Sequence, residues 1–378
     1  MGEKKDLVRR YMAQGLKRDK GLKICGISKN QFYHQPSGKK RGRKASRQTD
    51  LQTADGIEQV PNRQVIDWIE THLFNPLNDE GYRRMTGALQ LAGYYINHKK
   101  VYRLMKYHRL LHAKVERKSK NYVQYRILCP EGPLRLMETD IKYVWIDGER
   151  RYAYILTIID VFTRAVLYWE IGWHIKQKDV QKGWEQVIEK HLEPAKMYGW
   201  ELHIEVRSDN GPQFSAKKLK SFLEQNYLMQ TFTHPYTPQE NGHIESFHAI
   251  LGRDLNDKYF ADLNAARLNL VEFYDHYNNK RIHGSTLNLP PLLFWQQWNK
   301  GNIERIVLDK KKRRVKFKLN TIRQLIVLDK PAGIRSSEGG LLPSLEGSIP
   351  DKVEPKPHDE IKKTQTDGAV LIAQPAVQ

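Results

Sequence analysis

Two cysteines in 378 residues, Cys25 and Cys129, are too few and too far apart for a disulfide framework, and without a CxxC they offer no thiolate zinc site. Long apolar runs are missing too. The most apolar stretch, "AYILTIIDVF", is about half of the roughly 20 residues a membrane helix needs and contains Asp160. The opening "MGEKKDLVRR" lacks the apolar core of a secretory signal, and there is no internal repeat. These absences point to a cytoplasmic chain, and its 378 residues exceed what one core usually serves, so two to four domains are expected.

What the chain has in excess is positive charge, and it is unevenly placed. Residues 1–130 hold 28 Lys and Arg against 11 Asp and Glu, whereas residues 131–300 hold 20 against 22. Residues 301–330 return to 10 against 3, and the tail from 331 has 5 against 7. Basic arms flanking a near-neutral centre suit a polyanion, because each neutralised phosphate releases counterions. Nucleic acid is therefore the expected partner, double-stranded DNA where the helices described next suit a major groove, with no role at a membrane.

Two basic segments have helix-turn-helix spacing. In residues 1–36 a helix over 7–14 is followed by a second, a turn at Gly26 and a third helix capped by Ser28. Residues 37–61 are expected to be a basic linker, with Lys39, Lys40, Arg41 and Arg43 lying along phosphates. Residues 62–115 form the second unit. In its last helix Asn97 is the cap and Val101, Leu104 and Met105 the buried stripe, while Lys99, Arg103 and Lys106, with Lys100, make a basic face suited to a major groove. A second linker covers 116–130.

From 131 to 300 the pattern changes. "LRLMETDIKYVWI", "RYAYILTIIDVF" and "AVLYWEIGW" read as three strands joined by short turns, hence antiparallel. A helix over 178–191, the strand "LHIEVRSD", a helix over 216–226, a short strand at 228–232 and a further helix follow. This order predicts an α/β domain, a mixed five-stranded sheet with helices on both faces. Residues 301–330 alternate basic and apolar positions, as a small β segment would, and residues 331–378 have the composition of a disordered tail.

Three acids in this centre have unusual settings. Asp140 lies within the first strand, Asp209 at the tip of the fourth, and Glu245 on the helix of "HPYTPQENGHIESFHAIL", beside the stripe Ile244, Phe247 and Leu251. Thirty-five residues separate Asp209 from Glu245, enough for a helix, a strand and a return. Each acid has a plainer reading: Asp140 capping a neighbouring amide, Asp209 forming an Asx-turn, Glu245 as a solvated helix charge. Glu138, on the same strand face as Asp140, is the rival ligand. Carboxylates gathered in one place resist ionising together unless a cation offsets them. Mg²⁺ or Mn²⁺, two ions about 4 Å apart, would activate a nucleophile and stabilise the leaving oxygen of a phosphodiester. Asp147 and Asp160 look like turn residues, Asp160 with Arg164 as its partner.

"TDIKYVW", "IDVFTR", "RSDNGPQF", "PYTPQENGHIESF" and "YNNKRIHGSTLNLPP", in this order, resemble the integrase core of bacterial insertion-sequence-three transposases, whose cores are similar to those of retroviral integrases. "GYRRMTGALQLAGYYINHKKVYRLMKYHRLL" resembles the helix-turn-helix ahead of that core. The resemblance spans roughly residues 20–300 and implies an RNase H-like fold. It carries the metal-binding triad onto Asp140, Asp209 and Glu245, and implies cleavage at the element's ends followed by 3′-hydroxyl attack on another phosphodiester. A homo-oligomer would hold the two ends. Many members carry Lys and Arg where this chain has His243 and Ser246, so contacts made by lysines on this helix pass to His248 and Arg253. Asn210, Tyr236, Gln239, Asn241 and His243 border the acids as expected strand-end contacts, and Arg281 is a further DNA candidate. A regulatory DNA-binding protein and a non-specific nuclease are the competing functions.

Overall fold

The computed structural model describes residues 2–34, 46–113, 129–233, 241–309 and 314–328. Its contacts divide the chain into residues 1–48 and 49–378.

The first unit contains α1 (Gly2–Ala13), α2 (Arg18–Cys25) and α3 (Lys29–Tyr33) around Val8, Leu22, Ile27 and Phe32. Gly26 ends α2 at φ 61°, a left-handed conformation that glycine adopts without a Cβ penalty. Ser28 caps α3 by accepting from Gln31 N, while Gln31 accepts from Ser28 N.

The second unit opens with β1 (Gln48–Thr53) and β2 (Gly56–Pro61), which join β3 (Tyr94–Tyr95) in a sheet of order β2-β1-β3. The expectation that the whole of 37–61 is linker is thereby corrected. Asp55-Gly56 is a hairpin turn dipeptide, and Thr49 and Val60 give the strands a buried side. Next come α4 (Asn62–Phe74), α5 (Tyr82–Leu91) and α6 (His98–Tyr107), packed on Val65, Ile66, Ile69, Met85, Leu89, Val101 and Met105. Asn97 accepts from Lys100 N and caps α6. Among the described residues no helix is long and apolar enough to cross a membrane.

The large sheet comprises β4 (Leu136–Ile146), β5 (Arg151–Asp160), β6 (Val166–Gly172), β7 (Ile204–Ser208) and β8 (Leu228–Phe232), in the order β6-β5-β4-β7-β8. β4 pairs antiparallel with β5 and β5 with β6, whereas β4/β7 and β7/β8 are parallel. Alternation along β5 sends Leu156 and Ile158 to one face and Ile155 and Ile159 to the other. The first face packs on α7 (Gln177–Val187), α8 (Pro212–Ser215) and α9 (Lys217–Gln225) through Trp184, Phe214, Leu219 and Leu223. The second packs on α10 (Gly242–Leu255) and α11 (Leu263–Asn279) through Ile244, Phe247, Leu251, Phe273 and Tyr274. A mixed five-stranded sheet with both faces covered is the RNase H-like architecture expected.

At the edge strand β6, Asn278 acts as a one-residue strand. Its Oδ1 accepts from Val166 N and its Nδ2 donates to Val166 O, each at 2.9 Å, and its side chain is fully buried. Asn278→Ala strands two buried backbone groups, each costing about 1–3 kcal/mol. We expect a loss of about 3 kcal/mol, measured as a lower urea midpoint at unchanged slope.

The basic end of the chain is only partly β. After α12 (Pro291–Asn299), β9 (Ile303–Asp309) and β10 (Arg314–Leu319) pair antiparallel, but residues beyond turn into α13 (Arg323–Leu328). Phe162, Leu293, Phe294, Ile303 and Ile326 form the small core beneath them.

Candidate active site

The strand period of two and the helix period of four set the geometry. Two strand residues advance about 6.7 Å and four helix residues about 6 Å, so a strand and helix packed side by side keep step. β4 and α10 do this over three rungs. Glu138 accepts from Ile244 N at 2.8 Å and meets His243 Nδ1 at 2.9 Å. Two residues on, Asp140 Oδ2 lies 3.3 Å from His248 Nδ1. Two further, Lys142 crosses Gly252, where an added Cβ would sit 3.3 Å from its Nζ.

The lowest rung fixes the start of the helix. Asn241 occupies the N-cap of α10 without making a side-chain cap bond. Glu138, fully buried, supplies the missing acceptor from the neighbouring strand. Burial pushes its carboxyl up to about 7, against the pull of the Ile244 amide, Arg164 and Arg207. With one oxygen on His243 and the other on Ile244 N, Glu138 is an anchor rather than the rival ligand.

Asp209 follows β7 directly. The parallel register ends with Glu138 opposite Arg207, and Asp209, just past the end of β7, is near enough to Asp140 to feel its charge. Its Oδ1 accepts from Gly211 N at 3.0 Å, an Asx-turn, and Asn210 Nδ2 donates to Thr233 O, tying this loop to the end of β8. Glu245 lies in the first turn of α10, exposed. Partial burial raises the carboxyl of Asp209, as does the charge of Asp140. The same two causes, with Glu138, raise that of Glu245. Asp140 is thus the common neighbour of two acids that repel it. Among the described residues neither Asp209 nor Glu245 has a basic side chain within ion-pair distance.

The three acids do not form a closed cluster. No group of three or more His, Cys, Asp or Glu among the described residues is gathered tightly enough to hold a metal ion. The donor chemistry of the three expected acids nevertheless fits a hard divalent cation: each offers carboxylate oxygens, and among the described residues no basic side chain offsets the charge of Asp209 or Glu245.

Other expected contacts fall in varied places. Lys99, Arg103 and Lys106 are exposed on α6, while Lys100 donates to Thr49 Oγ1 at 2.7 Å. The expectation that His248 and Arg281 face DNA is corrected. His248 is 9% exposed, with Nδ1 on Asp140, and Arg281 is 4% exposed with its guanidinium 2.8 Å from Asp79. Arg253 remains accessible but also meets Asp79, at 3.0 Å. Asn241 is buried and His243 is held by Glu138. Lys39, Lys40, Arg41, Arg43, Tyr236 and Gln239 lie outside the described residues. Sequence reasoning missed Asp79, whose only signal is an acid just ahead of Arg83 and Arg84.

Buried histidines give the fold an acid limit. Burial lowers His191 and His276 to about 4 and His283 to about 3, the last helped by Arg164, Arg281 and Arg84. A depressed histidine stabilises the fold fully above its unfolded value near 6.5 and loses that contribution as pH falls toward its folded value. Glu138, raised, works the opposite way between its ordinary value and about 7, and the raised carboxyls of Asp160, Asp209 and Glu245 act in the same sense as Glu138. The three histidines should make stability fall between pH 6.5 and 4, and the raised acids should offset part of that fall, in denaturant titrations of metal-free protein. Glu138→Gln should steepen the fall.

Residues 130–238 and 228–291 each match the model of an integrase core domain, and residues 78–119 that of an HTH-like domain. The uncharacterized 39.2 kDa protein of insertion element IS476 from Xanthomonas euvesicatoria is 26% identical over 77% of this chain and 76% of its own. The transposase of insertion sequence element IS904 from Lactococcus lactis is 27% identical over 54% of this chain and 82% of its own. Transposase InsD of insertion element IS2D from Escherichia coli is 29% identical over 57% and 72%. Among solved structures, the catalytic core of BIV integrase is 18% identical over 44% of this chain and 97% of its own, with a TM-score of 0.33. An integrase core on an RNase H-like sheet, behind an HTH-like domain, defines a DDE polynucleotidyl transferase serving DNA transposition. The chain carries an integrase core domain and an HTH-like domain and is similar to transposases of bacterial insertion elements.

Proposed function

We propose that this transposase binds the terminal inverted repeats of its own mobile element and catalyses cleavage and 3′-hydroxyl strand transfer at Asp140, Asp209 and Glu245. The observation that carries the reading is the mutual repulsion of the three acids. The charge of Asp140 acts on both Asp209 and Glu245, and Glu138 clamps the helix of Glu245 onto the strand of Asp140. These three residues would hold two Mg²⁺ or Mn²⁺ ions, which when bound activate the attacking oxygen and stabilise the leaving one. In the transfer the 3′-oxygen forms a new bond to phosphorus as the target strand's P–O bond breaks. His248 keeps Asp140 oriented, and Asn210 holds the Asp209 loop against β8.

The domain division we propose assigns 1–36 and 62–115 to DNA binding, 131–300 to catalysis, and 301–330 to a basic segment. Lys99, Arg103 and Lys106 form the exposed face of α6 suited to a groove. Joining two element ends requires a multimer, and its setting is the bacterial cytoplasm at the nucleoid.

A strand-transfer assay with labelled terminal-repeat DNA and Mg²⁺ tests this reading. Joined products are expected. Binding without products would instead mean a regulatory protein, and random degradation a nuclease.

A further inference from the structure

Asp79, just before α5, is the meeting point of three arginines from three places in the chain. Arg84 Nη2 lies 3.2 Å from its carboxylate, Arg253 Nη1 3.0 Å and Arg281 Nη2 2.8 Å. Burial opposes the charge of Asp79, but the three arginines outweigh it and hold its carboxyl below the usual range. One negative charge therefore faces three positive ones. Glu80 does not restore the balance, because its buried carboxylate is paired with His72 at 3.2 Å.

The surplus opens onto a cavity of about 450 Å³, lined among others by Asp79, Arg83, Arg84, His112 and Arg253. Arg83 stands over the ring of Tyr82 and has no carboxylate partner among the described residues. The first turn of α5, ten residues long, borders the same space and adds the partial positive charge of a helix start. Guanidinium groups from α5 and α10 thus converge on one recess without enough anions to satisfy them.

We propose that this cavity is a subsite for a phosphodiester of the DNA backbone, gripped jointly by Arg83 and Arg84 of the HTH-like domain and Arg253 of the integrase core. The assignment rests on the reading of DNA as substrate. It also states what that reading does not: a single phosphate bridges the recognition module and the helix of Glu245. Glu245 lies eight residues before Arg253, about 12 Å along α10, so the gripped strand passes close to the proposed reaction centre. Asp79 holds the arginines together in the absence of DNA and cannot itself neutralise them.

The test is the salt dependence of duplex binding, by fluorescence anisotropy, for wild type, Arg83→Gln, Arg253→Gln and the double variant. Arg83 is exposed, so its replacement leaves the fold intact. Each single variant should bind several-fold more weakly and lower the slope of log K against log salt by about 0.9, the value for one phosphate contact on B-DNA. The double variant should fall no further than the singles, because both arginines serve one phosphate. Unchanged slopes, or a double loss of about twice that size, would overturn the proposal. Inorganic phosphate that binds wild type but not Arg253→Gln, with DNA slopes unaltered, would mark a free-anion site and overturn the DNA assignment. Coupled slope losses in a wild-type protein that joins no strands would leave the subsite standing and sink the catalytic reading instead.

Discussion

Asp209→Asn is expected to abolish joined products in the strand-transfer assay while leaving duplex binding unchanged. The substitution keeps the side chain's size and its Oδ1 acceptor for Gly211 N, so the Asx-turn at the end of β7 survives. What it removes is a negative charge that interacts with Asp140. Removing one neutral donor aimed at developing charge costs an enzyme about 10²–10³ in rate, and losing an ionic ligand to the metal should cost at least as much. A fall of about a thousandfold or more is the expectation. Because the amide carries no charge for Asp140 to repel, the variant should be no less stable than wild type. Activity that survives within tenfold would place the reaction elsewhere.

Asp160→Ala should produce the largest loss of stability of any single change considered, with little direct effect on chemistry. Its Oδ1 accepts from Leu134 N at 2.9 Å, and its Oδ2 from Thr163 N at 2.7 Å and Thr163 Oγ1 at 2.6 Å. The side chain is fully buried, and burial raises its carboxyl against those three donors. Alanine leaves all three donors without an acceptor where water does not reach, at about 1–3 kcal/mol each. A loss of about 4 kcal/mol is a large part of the 5–15 kcal/mol that typically stabilises a folded domain. Asp160→Asn, which keeps one acceptor, should lose about half as much by the same reckoning. Chemical denaturation measures both, and equal midpoints for Asp160→Ala and wild type would refute the assignment.

Asp160 also shows where the sequence could be read and where it could not. Its place in "IIDVFTR" marks a turn residue, and a turn is what it builds. The partner expected there, Arg164, is not the one found: Arg164 donates its backbone N to Asp160 O, and the carboxylate is taken by backbone amides and a threonine hydroxyl. Local periodicity served well wherever burial follows spacing. Ile244, Phe247 and Leu251 are all buried, and Ser28 and Asn97 both cap their helices. The hairpin over 48–61 was hidden by the charge of the linker before it, although Asp55-Gly56 carries a hairpin signal.

Inward-turned charges were not legible. Nothing near His248 or Arg281 in sequence announces that each will be buried, because the acid that receives it, Asp140 or Asp79, lies far away along the chain. A charged side chain is assigned to solvent or ligand by default, and only a distant partner reverses that assignment. Glu138 is the instructive middle case. Its alternation with Asp140 was readable, but its task of anchoring α10 depends on the helix arriving at the same rung.

The central claim is that Asp140, Asp209 and Glu245 share divalent cations, and a crystal structure of the protein soaked in Mn²⁺ tests it most directly. An anomalous peak should appear in contact with carboxylate oxygens of all three residues, at roughly the 2.1 Å of small hard cations, with Glu245 drawn toward Asp140. A peak held by other side chains, or none at a Mn²⁺ concentration that supports strand transfer, would contradict the account.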